Sequence, residues 1–346
     1  MKVAFFDSKP YDKKYFNAEI QNKNIEIKYF KDRLTEESVK LAEGYDAVCV
    51  FVKDDVNENV INTLHKYGIR LIALRCAGYN NVHLKTAYKR IHTVRVPAYS
   101  PYAVAEHAAA LALTLNRKTH RAYFRTRDSN FNIDGLMGFD MHGKTAGVIG
   151  TGKIGQILIK ILTGFGMKVI ASDPFPDEKI AEKLGFEYAD MDRLFRTSDL
   201  ISLHCPLTAE TRHLINKNTI EKMKDHVMII NTSRGLLINT ADLIAALKTG
   251  KIGAAGLDVY EEEDEYFFED FSGTFLTDDV LARLLSFNNV LITSHQAFFT
   301  NEAMTNISGT TVSNIIDYFE KDELPNEVCY FCDVKPCPKK NGGKCF

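Results

Sequence analysis

Thr145-Ala-Gly-Val-Ile-Gly150-Thr-Gly152-Lys-Ile-Gly155 decides the fold. Five small or apolar residues make a buried strand, the pattern G-x-G-x-x-G closes it, and residues 156–163 continue as a helix. Each glycine has its own task. Gly150 permits the tight turn, Gly152 lets the backbone approach a pyrophosphate, and Gly155 lets the helix pack on the strand. Amides at the helix start, Lys153 and Ile154 among them, then face the phosphates with the positive end of the helix dipole. The next strand runs to Asp173, 23 positions after Gly150 and close to the ~20 of a ribose-binding acid. A carboxylate there accepts from a ribose 2′-hydroxyl and repels a 2′-phosphate, so the cofactor expected is NAD rather than NADP. A lone glycine pattern also occurs in ordinary strand-to-helix turns; the strand, helix and spaced acid together set this one apart.

The same grammar extends in both directions. Apolar runs at 3–6, 47–52 and 71–75 alternate with polar stretches of helical length at 35–41 and 56–67. The rhythm restarts at 145–149 and continues through 168–171, 200–204, 227–231, 254–258 and 290–293. Strands alternating with helices predict parallel sheets, and two such runs predict two doubly wound α/β domains. The length, 346 residues, is more than one core usually serves. Pro97 and Pro101 punctuate the seam. An Ala-rich helix over 101–117 follows, whose small residues are expected to pack between domains or subunits. A helix over 301–319 returns the chain to the first domain.

Composition is that of an ordinary globular protein, 45% hydrophobic and 25% charged, with a net charge of −2. No basic surplus points to nucleic acid. No stretch approaches the roughly 20 apolar residues of a membrane-spanning helix, and the first residues read as a strand rather than a signal peptide, so a cytoplasmic location is expected. Of seven cysteines, Cys49, Cys76 and Cys205 sit in apolar runs and read as small buried hydrophobes.

Three further segments fall at strand ends, the edge where such sheets bind ligands: Ile229-Ile-Asn-Thr-Ser-Arg234-Gly, Gly256-Leu-Asp258-Val-Tyr-Glu-Glu-Glu263 and Leu291-Ile-Thr-Ser-His295-Gln-Ala. They bring a fixed cation, carboxylates and an imidazole. Reduction of a 2-keto acid needs these groups. An Arg fork suits the carboxylate and carbonyl, and an imidazole suits proton delivery near neutral pH. A carboxylate beside that imidazole favours its charged form. Taken singly, a strand-end Arg reads as a surface ion pair, a lone His as structural, and Glu261, Glu262 and Glu263 as a solvated acidic run. Convergence on one edge beside a dinucleotide loop favours chemistry.

With these segments on the page, the chain resembles the D-isomer-specific 2-hydroxyacid dehydrogenases over about residues 1–328, and within them the fermentative D-lactate dehydrogenase branch. The motifs carrying the resemblance are Arg75-Cys-Ala-Gly-Tyr-Asn-Asn81, Arg95-Val-Pro-Ala-Tyr-Ser-Pro101, Ala105-Glu-His107, 147–155, His204-Cys-Pro-Leu-Thr208, 231–235, 257–263 and 294–298. The resemblance implies that Arg234 binds the substrate carboxylate and carbonyl, that His295 is the acid/base, and that Glu263, the fifth residue after Asp258, tunes it. It implies substrate contacts at Cys76, Ala77, Gly78 and Tyr99. Cofactor contacts are implied at Lys153, Ile154, Asp173, Cys205, Pro206, Thr211, Thr232, Ser233, Arg234 and Asp258.

The resemblance also implies architecture. A Rossmann NAD-binding domain (102–294) is inserted in a discontinuous, flavodoxin-like substrate domain (1–101 and 295–330), and two or more copies assemble through the cofactor domain. The implied reaction is NADH-dependent, reversible reduction of pyruvate to D-lactate. A small apolar pocket from Phe51, Tyr99, Phe298 and Phe299 discriminates a methyl group from larger ones only modestly. A bulkier keto acid such as 2-ketoisocaproate or phenylpyruvate therefore stands as the alternative, with a catalytically silent NAD sensor behind it.

The tail, 331–346, falls outside this pattern. Cys329, Cys332, Cys337 and Cys345 are spaced C-x2-C-x4-C-x7-C, which lacks the second C-x-x-C or the His pair of a zinc ribbon. Pro336, Pro338, Gly342 and Gly343 read as an extended segment. The sequence reading favours a reduced appendage, keeps metal binding and a redox or disulfide role as alternatives, and places no metal in the site.

Overall fold

The computed structural model describes residues 1–263, 266–332 and 345–346. Asp264 and Glu265 of the acidic run, and Pro336, Cys337, Pro338, Gly342 and Gly343 of the tail, lie outside the described residues. The chain forms two compact units, Met1–Ser100 with Thr300–Phe346, and Pro101–Phe299. These junctions lie one and five residues from the sequence-based boundaries, and they group the His295 turn with the second unit and the tail with the first.

The first unit holds strands β1 (Lys2–Phe5), β2 (Glu26–Tyr29), β3 (Ala47–Val50), β4 (Leu71–Leu74) and β5 (His92–Val94). The sheet order is β13-β5-β4-β3-β1-β2, where β13 is Glu327–Val328. All pairs are parallel except β13 with β5, so the expectation of a wholly parallel sheet needs one correction at this edge. The central strands β3 and β4 are buried throughout, as sheets covered on both faces require. The edge strand β2 (Glu-Ile-Lys-Tyr) is half-exposed, and its charges hide it from a reading based on apolar runs. The expected helix at 35–41 is instead a short 3-10 turn, Val39–Ala42. Ser38 Oγ hydrogen-bonds to the Arg33 carbonyl and accepts from the Thr35 amide, offering the backbone an alternative to helix.

The second unit is a seven-stranded parallel sheet, β12-β11-β10-β9-β6-β7-β8. Its strands are β6 (Thr145–Ile149), β7 (Lys168–Ser172), β8 (Glu187–Tyr188), β9 (Leu200–Leu203), β10 (Val227–Asn231), β11 (Ile252–Leu257) and β12 (Val290–Ile292). The chain runs from β6 outward to β8, then returns to the other side of β6 as β9. This reversal creates the crevice where doubly wound sheets take ligands. Apolar clusters cover both faces. One gathers Ile201, Ile229, Ala255 and Leu284, the other Val148, Leu158, Ile159 and Ile230. The Ala-rich helix, Pro101–Arg117, packs inside this unit against helix Lys153–Gly164 and strands β10 and β11. Its small residues allow close helix approach within this unit.

The glycine loop is tight. Gly150 has φ +97°, and a Cβ there would stand 2.5 Å from the His204 carbonyl at the end of β9. At Gly155 a Cβ would stand 2.0 Å from the Gly150 carbonyl. A methyl group cannot enter without moving backbone, so Gly155→Ala should destabilise the protein by about 1–3 kcal/mol. The expected result is a lower urea midpoint; an unchanged midpoint would show that helix and strand separate freely.

Candidate functional site

The carboxyl edge of the second sheet carries the predicted cofactor residues. Helix Lys153–Gly164 begins three residues earlier than the sequence reading placed it, with Gly152 as its N-cap. The first helical amides, at Lys153, Ile154 and Gly155, therefore have no intrahelical acceptor and point out of the loop. A Cβ on Gly152 would meet nothing within 4 Å, so the backbone faces open space there. Asp173 lies just past β7. Its carboxylate accepts from the Thr151 amide at 2.7 Å, the Thr151 hydroxyl at 3.0 Å and the Phe175 amide at 2.9 Å. It is thus pinned beside the loop and retains lone pairs for a further donor.

The neighbouring strand ends complete this edge. Cys205, Pro206 and Thr211 form the loop after β9, where the Thr211 hydroxyl donates to the Pro206 carbonyl at 2.7 Å. Cys205 is half-buried there, not the fully buried hydrophobe expected. After β10, Ser233 Oγ donates to the Leu203 carbonyl at 2.7 Å, tying two strand ends together. Asn231 clamps the turn by accepting from the Ser233 amide and donating to the Arg234 carbonyl. The buried Thr232 hydroxyl has no protein partner, a polar atom left for a ligand. An apposed open backbone, outward helix amides and an unpartnered hydroxyl fit a dinucleotide.

Arg234 stands exposed on this edge, its Nη1 donating to the Ser233 carbonyl at 2.7 Å. Beyond β12, His295 Nδ1 lies 2.6 Å from Glu263 Oε1. A carboxylate only accepts, so Nδ1–H donates and Nε2 is left for a reacting group. Glu263 is held in turn by the Tyr260 amide on Oε2 at 2.9 Å. The structure also separates the three glutamates. Glu261 pairs with His213 at 2.7 Å and accepts from the Thr240 amide, while Glu262 is exposed. A second imidazole near this edge, His204, is held by Ser202 at 2.8 Å, and burial pushes its pKa down to about 4. That neutral ring is no rival acid at neutral pH.

His295 adopts φ +49°, a left-handed conformation that costs a residue with a side chain. Asp258 holds it there. The Asp258 carbonyl accepts from the His295 amide at 2.8 Å, and its carboxylate accepts from the Thr293 hydroxyl and from the amides of Gln296 and Ala297, the amides both at 2.9 Å. His107 reaches the same cluster, 3.0 Å from Thr293 Oγ1 and 3.4 Å from Asp258 Oδ1. Asp258 has no exposed surface, and its carboxylate supports the turn. The sequence reading assigned no role to Thr293 or His107. Thr293 carried a usable signal, since it precedes His295 by two residues at the same strand end.

In the first unit, Cys76, Ala77 and Gly78 follow β4 at the carboxyl edge of that sheet. Their loop is fixed by Val96 N–H to the Cys76 carbonyl at 3.1 Å and by Arg95 to the Ala77 carbonyl at 2.8 Å. Among the described residues nothing accepts from the Ala77 and Gly78 amides, which leaves both donors for an anion. The Tyr99 carbonyl accepts from Asn306 at 2.5 Å. Of the expected pocket residues, Phe51 and Tyr99 belong to this unit and Phe298 and Phe299 to the second.

Comparison with known proteins agrees with this geometry. Residues 109–297 match the sequence profile described as D-isomer specific 2-hydroxyacid dehydrogenase, NAD binding domain. The chain is 53% identical over 329 residues to D-lactate dehydrogenase from Escherichia coli (strain K12), covering 95% of this chain and 100% of the relative. The apo-structure of D-lactate dehydrogenase from Escherichia coli superposes with a TM-score of 0.87 at 50% identity, over 95% of this chain and 100% of that one. A structure described as the pyruvate reductase of Chlamydomonas reinhardtii gives a TM-score of 0.87 at 44% identity, over 92% and 96%. Phosphate loop, strand-end acid, paired imidazole and relatives thus converge, and the chain belongs to the D-isomer-specific 2-hydroxyacid dehydrogenase family.

Proposed function

We propose that this NAD-dependent dehydrogenase interconverts pyruvate and D-lactate. The observation that carries the reading is the His295–Glu263 pair at 2.6 Å, set on the same sheet edge as the phosphate loop and Arg234. Relatives named D-lactate dehydrogenase and pyruvate reductase, matched at about half identity over nearly the whole chain, support pyruvate as the keto acid.

The residues divide the work. The helix amides at Lys153 and Ile154 hold the pyrophosphate, and Asp173 accepts from the ribose hydroxyls, favouring NAD over NADP. Thr232 and Ser233, with Cys205, Pro206 and Thr211, flank the cofactor. When bound, the dihydronicotinamide supplies a hydride. Arg234 grips the substrate carboxylate and polarises its carbonyl. His295 Nε2 gives its proton to the carbonyl oxygen as that oxygen gains charge, and Glu263 stabilises the protonated ring beforehand. In the reverse direction the neutral ring takes the proton back. A cytoplasmic location suits a reaction that draws on the NADH pool.

A homodimer completes the reading. Helix Thr119–Arg127 has no buried residue, and the stretch around it exposes Phe124 at 66%, Phe131 at 75%, Ile133 at 79% and Met137 at 87%. So much apolar surface calls for a cover, and a second copy of this unit is the occupant proposed. Sedimentation should show a dimer or larger assembly; a monomer at micromolar concentration would contradict it.

The reading is tested by NADH oxidation across a keto-acid panel. Pyruvate should give a higher kcat/KM than 2-ketoisocaproate or phenylpyruvate, and a ranking with pyruvate last would overturn the substrate assignment. Replacing His295 with Ala should lower kcat by about 10²–10⁴-fold, the usual share of a general acid, while NADH binding measured by fluorescence persists. A near-normal kcat would remove His295 from proton transfer.

A further inference from the structure

Proton and hydride transfer leave the aromatic stretch after Glu263 unused. It opens with Tyr266, Phe267 and Phe268. The amides of Tyr266 and Phe267 both donate to the Glu263 carbonyl, at 3.2 and 2.9 Å, so both are fastened to the residue that holds His295. Their side chains are buried in the apolar cluster on one face of the second sheet. The Tyr266 hydroxyl is tied in addition to Thr277 Oγ1 at 2.7 Å.

Phe268 behaves differently. Its φ is +66°, and among the described residues it is the one apolar side chain in the left-handed region. A bulky residue takes that conformation only where its surroundings impose it. The ring is half-buried at the margin of the cluster. Its centroid lies 5.9 Å from that of the His295 imidazole, with the planes 34° apart. The Phe268 amide faces Ser294 Oγ at 3.5 Å. Backbone and ring therefore both lie against the turn that carries His295, which is itself left-handed at φ +49°. Two strained residues meet at one imidazole, and strain of this kind gathers where a site uses it.

The substrate class gives this ring a task. A 2-keto acid presents three groups around C2. The carbonyl oxygen needs a proton donor and the carboxylate needs a cation, which His295 and Arg234 supply. The third group, a methyl in pyruvate, needs apolar cover. Phe268 sets an aromatic ring beside the imidazole within the same unit. We propose that the Phe268 ring walls the substrate pocket next to His295 and caps the size of the keto-acid side chain, a role that rests on the pyruvate reading above. A rigid ring rejects bulk by collision, which discriminates against larger side chains as well as favouring the small one. The buried neighbours Tyr266 and Phe267 fix the backbone from which it projects.

A ring that only packs would lower stability on removal and leave the preference among keto acids unchanged. The test compares the parent, Phe268→Gly and Phe268→Leu in NADH oxidation with pyruvate, 2-ketoisocaproate and phenylpyruvate. Glycine adopts positive φ without strain, so the first variant removes the ring and keeps the turn. Its kcat/KM ratio for pyruvate over phenylpyruvate should fall by about 10-fold or more, with phenylpyruvate gaining in absolute rate. Phe268→Leu, which fills most of the same space, should fall between and carries the comparison if the glycine variant does not fold. NADH binding measured by fluorescence reports the folded cofactor unit in each. An unchanged ratio in a variant that binds NADH would overturn the proposal and leave the pyruvate reading standing. A parent that prefers phenylpyruvate to pyruvate would overturn that reading and the size cap with it.

Discussion

A buried carboxylate at the end of β11 carries the site. Asp258 has no exposed surface and gathers the Thr293 hydroxyl, two amides and His107 around its oxygens, while its carbonyl takes the His295 amide. The balance of magnitudes shows why this suffices. A left-handed residue with a side chain costs about 1–3 kcal/mol, whereas stripping the partners from a buried charge costs about 3–5 kcal/mol. The turn stays strained because releasing it would orphan Asp258. That strain places His295 Nδ1 on Glu263 and leaves Nε2 for chemistry.

The second constraint is steric. β6 and β9 stay paired to their carboxyl ends while their connections leave in opposite directions, and Gly150 and Gly155 let loop, strand and helix meet where any Cβ would collide with backbone. The cofactor edge and the proton-donor edge belong to one sheet, so the register of β9, β10, β11 and β12 sets the spacing between them. Side chains such as Ser233, which bonds across to Leu203, lock that register at the ends of the strands.

Much of this was legible in the sequence because it rests on local chemistry. The strands 145–149 and 227–231 were read with their observed bounds, since buried parallel strands are continuous apolar runs. The glycine spacing located the loop, and strand-end position located Arg234, Glu263 and His295. Residue chemistry alone left Glu261, Glu262 and Glu263 equivalent; the resemblance selected Glu263, and the tertiary partners, His213 for Glu261 and His295 for Glu263, separate them. β2 and β13 escaped because charged residues occupy them. The part Asp258 plays in holding the His295 turn did not show in the sequence, because its burial is a property of the fold. The tail carried its cysteine spacing in plain view, but the return of Cys345 and Phe346 to β5 is a long-range contact that no local pattern encodes.

The central claim is hydride transfer to C2 of pyruvate on one face, with a proton delivered to the oxygen by His295. It is tested most directly by reducing pyruvate with NADH deuterated at C4 on its transferable face, then determining the configuration and label of the product. The account expects D-lactate carrying deuterium at C2. L-lactate, or D-lactate with hydrogen from solvent at C2, would contradict it.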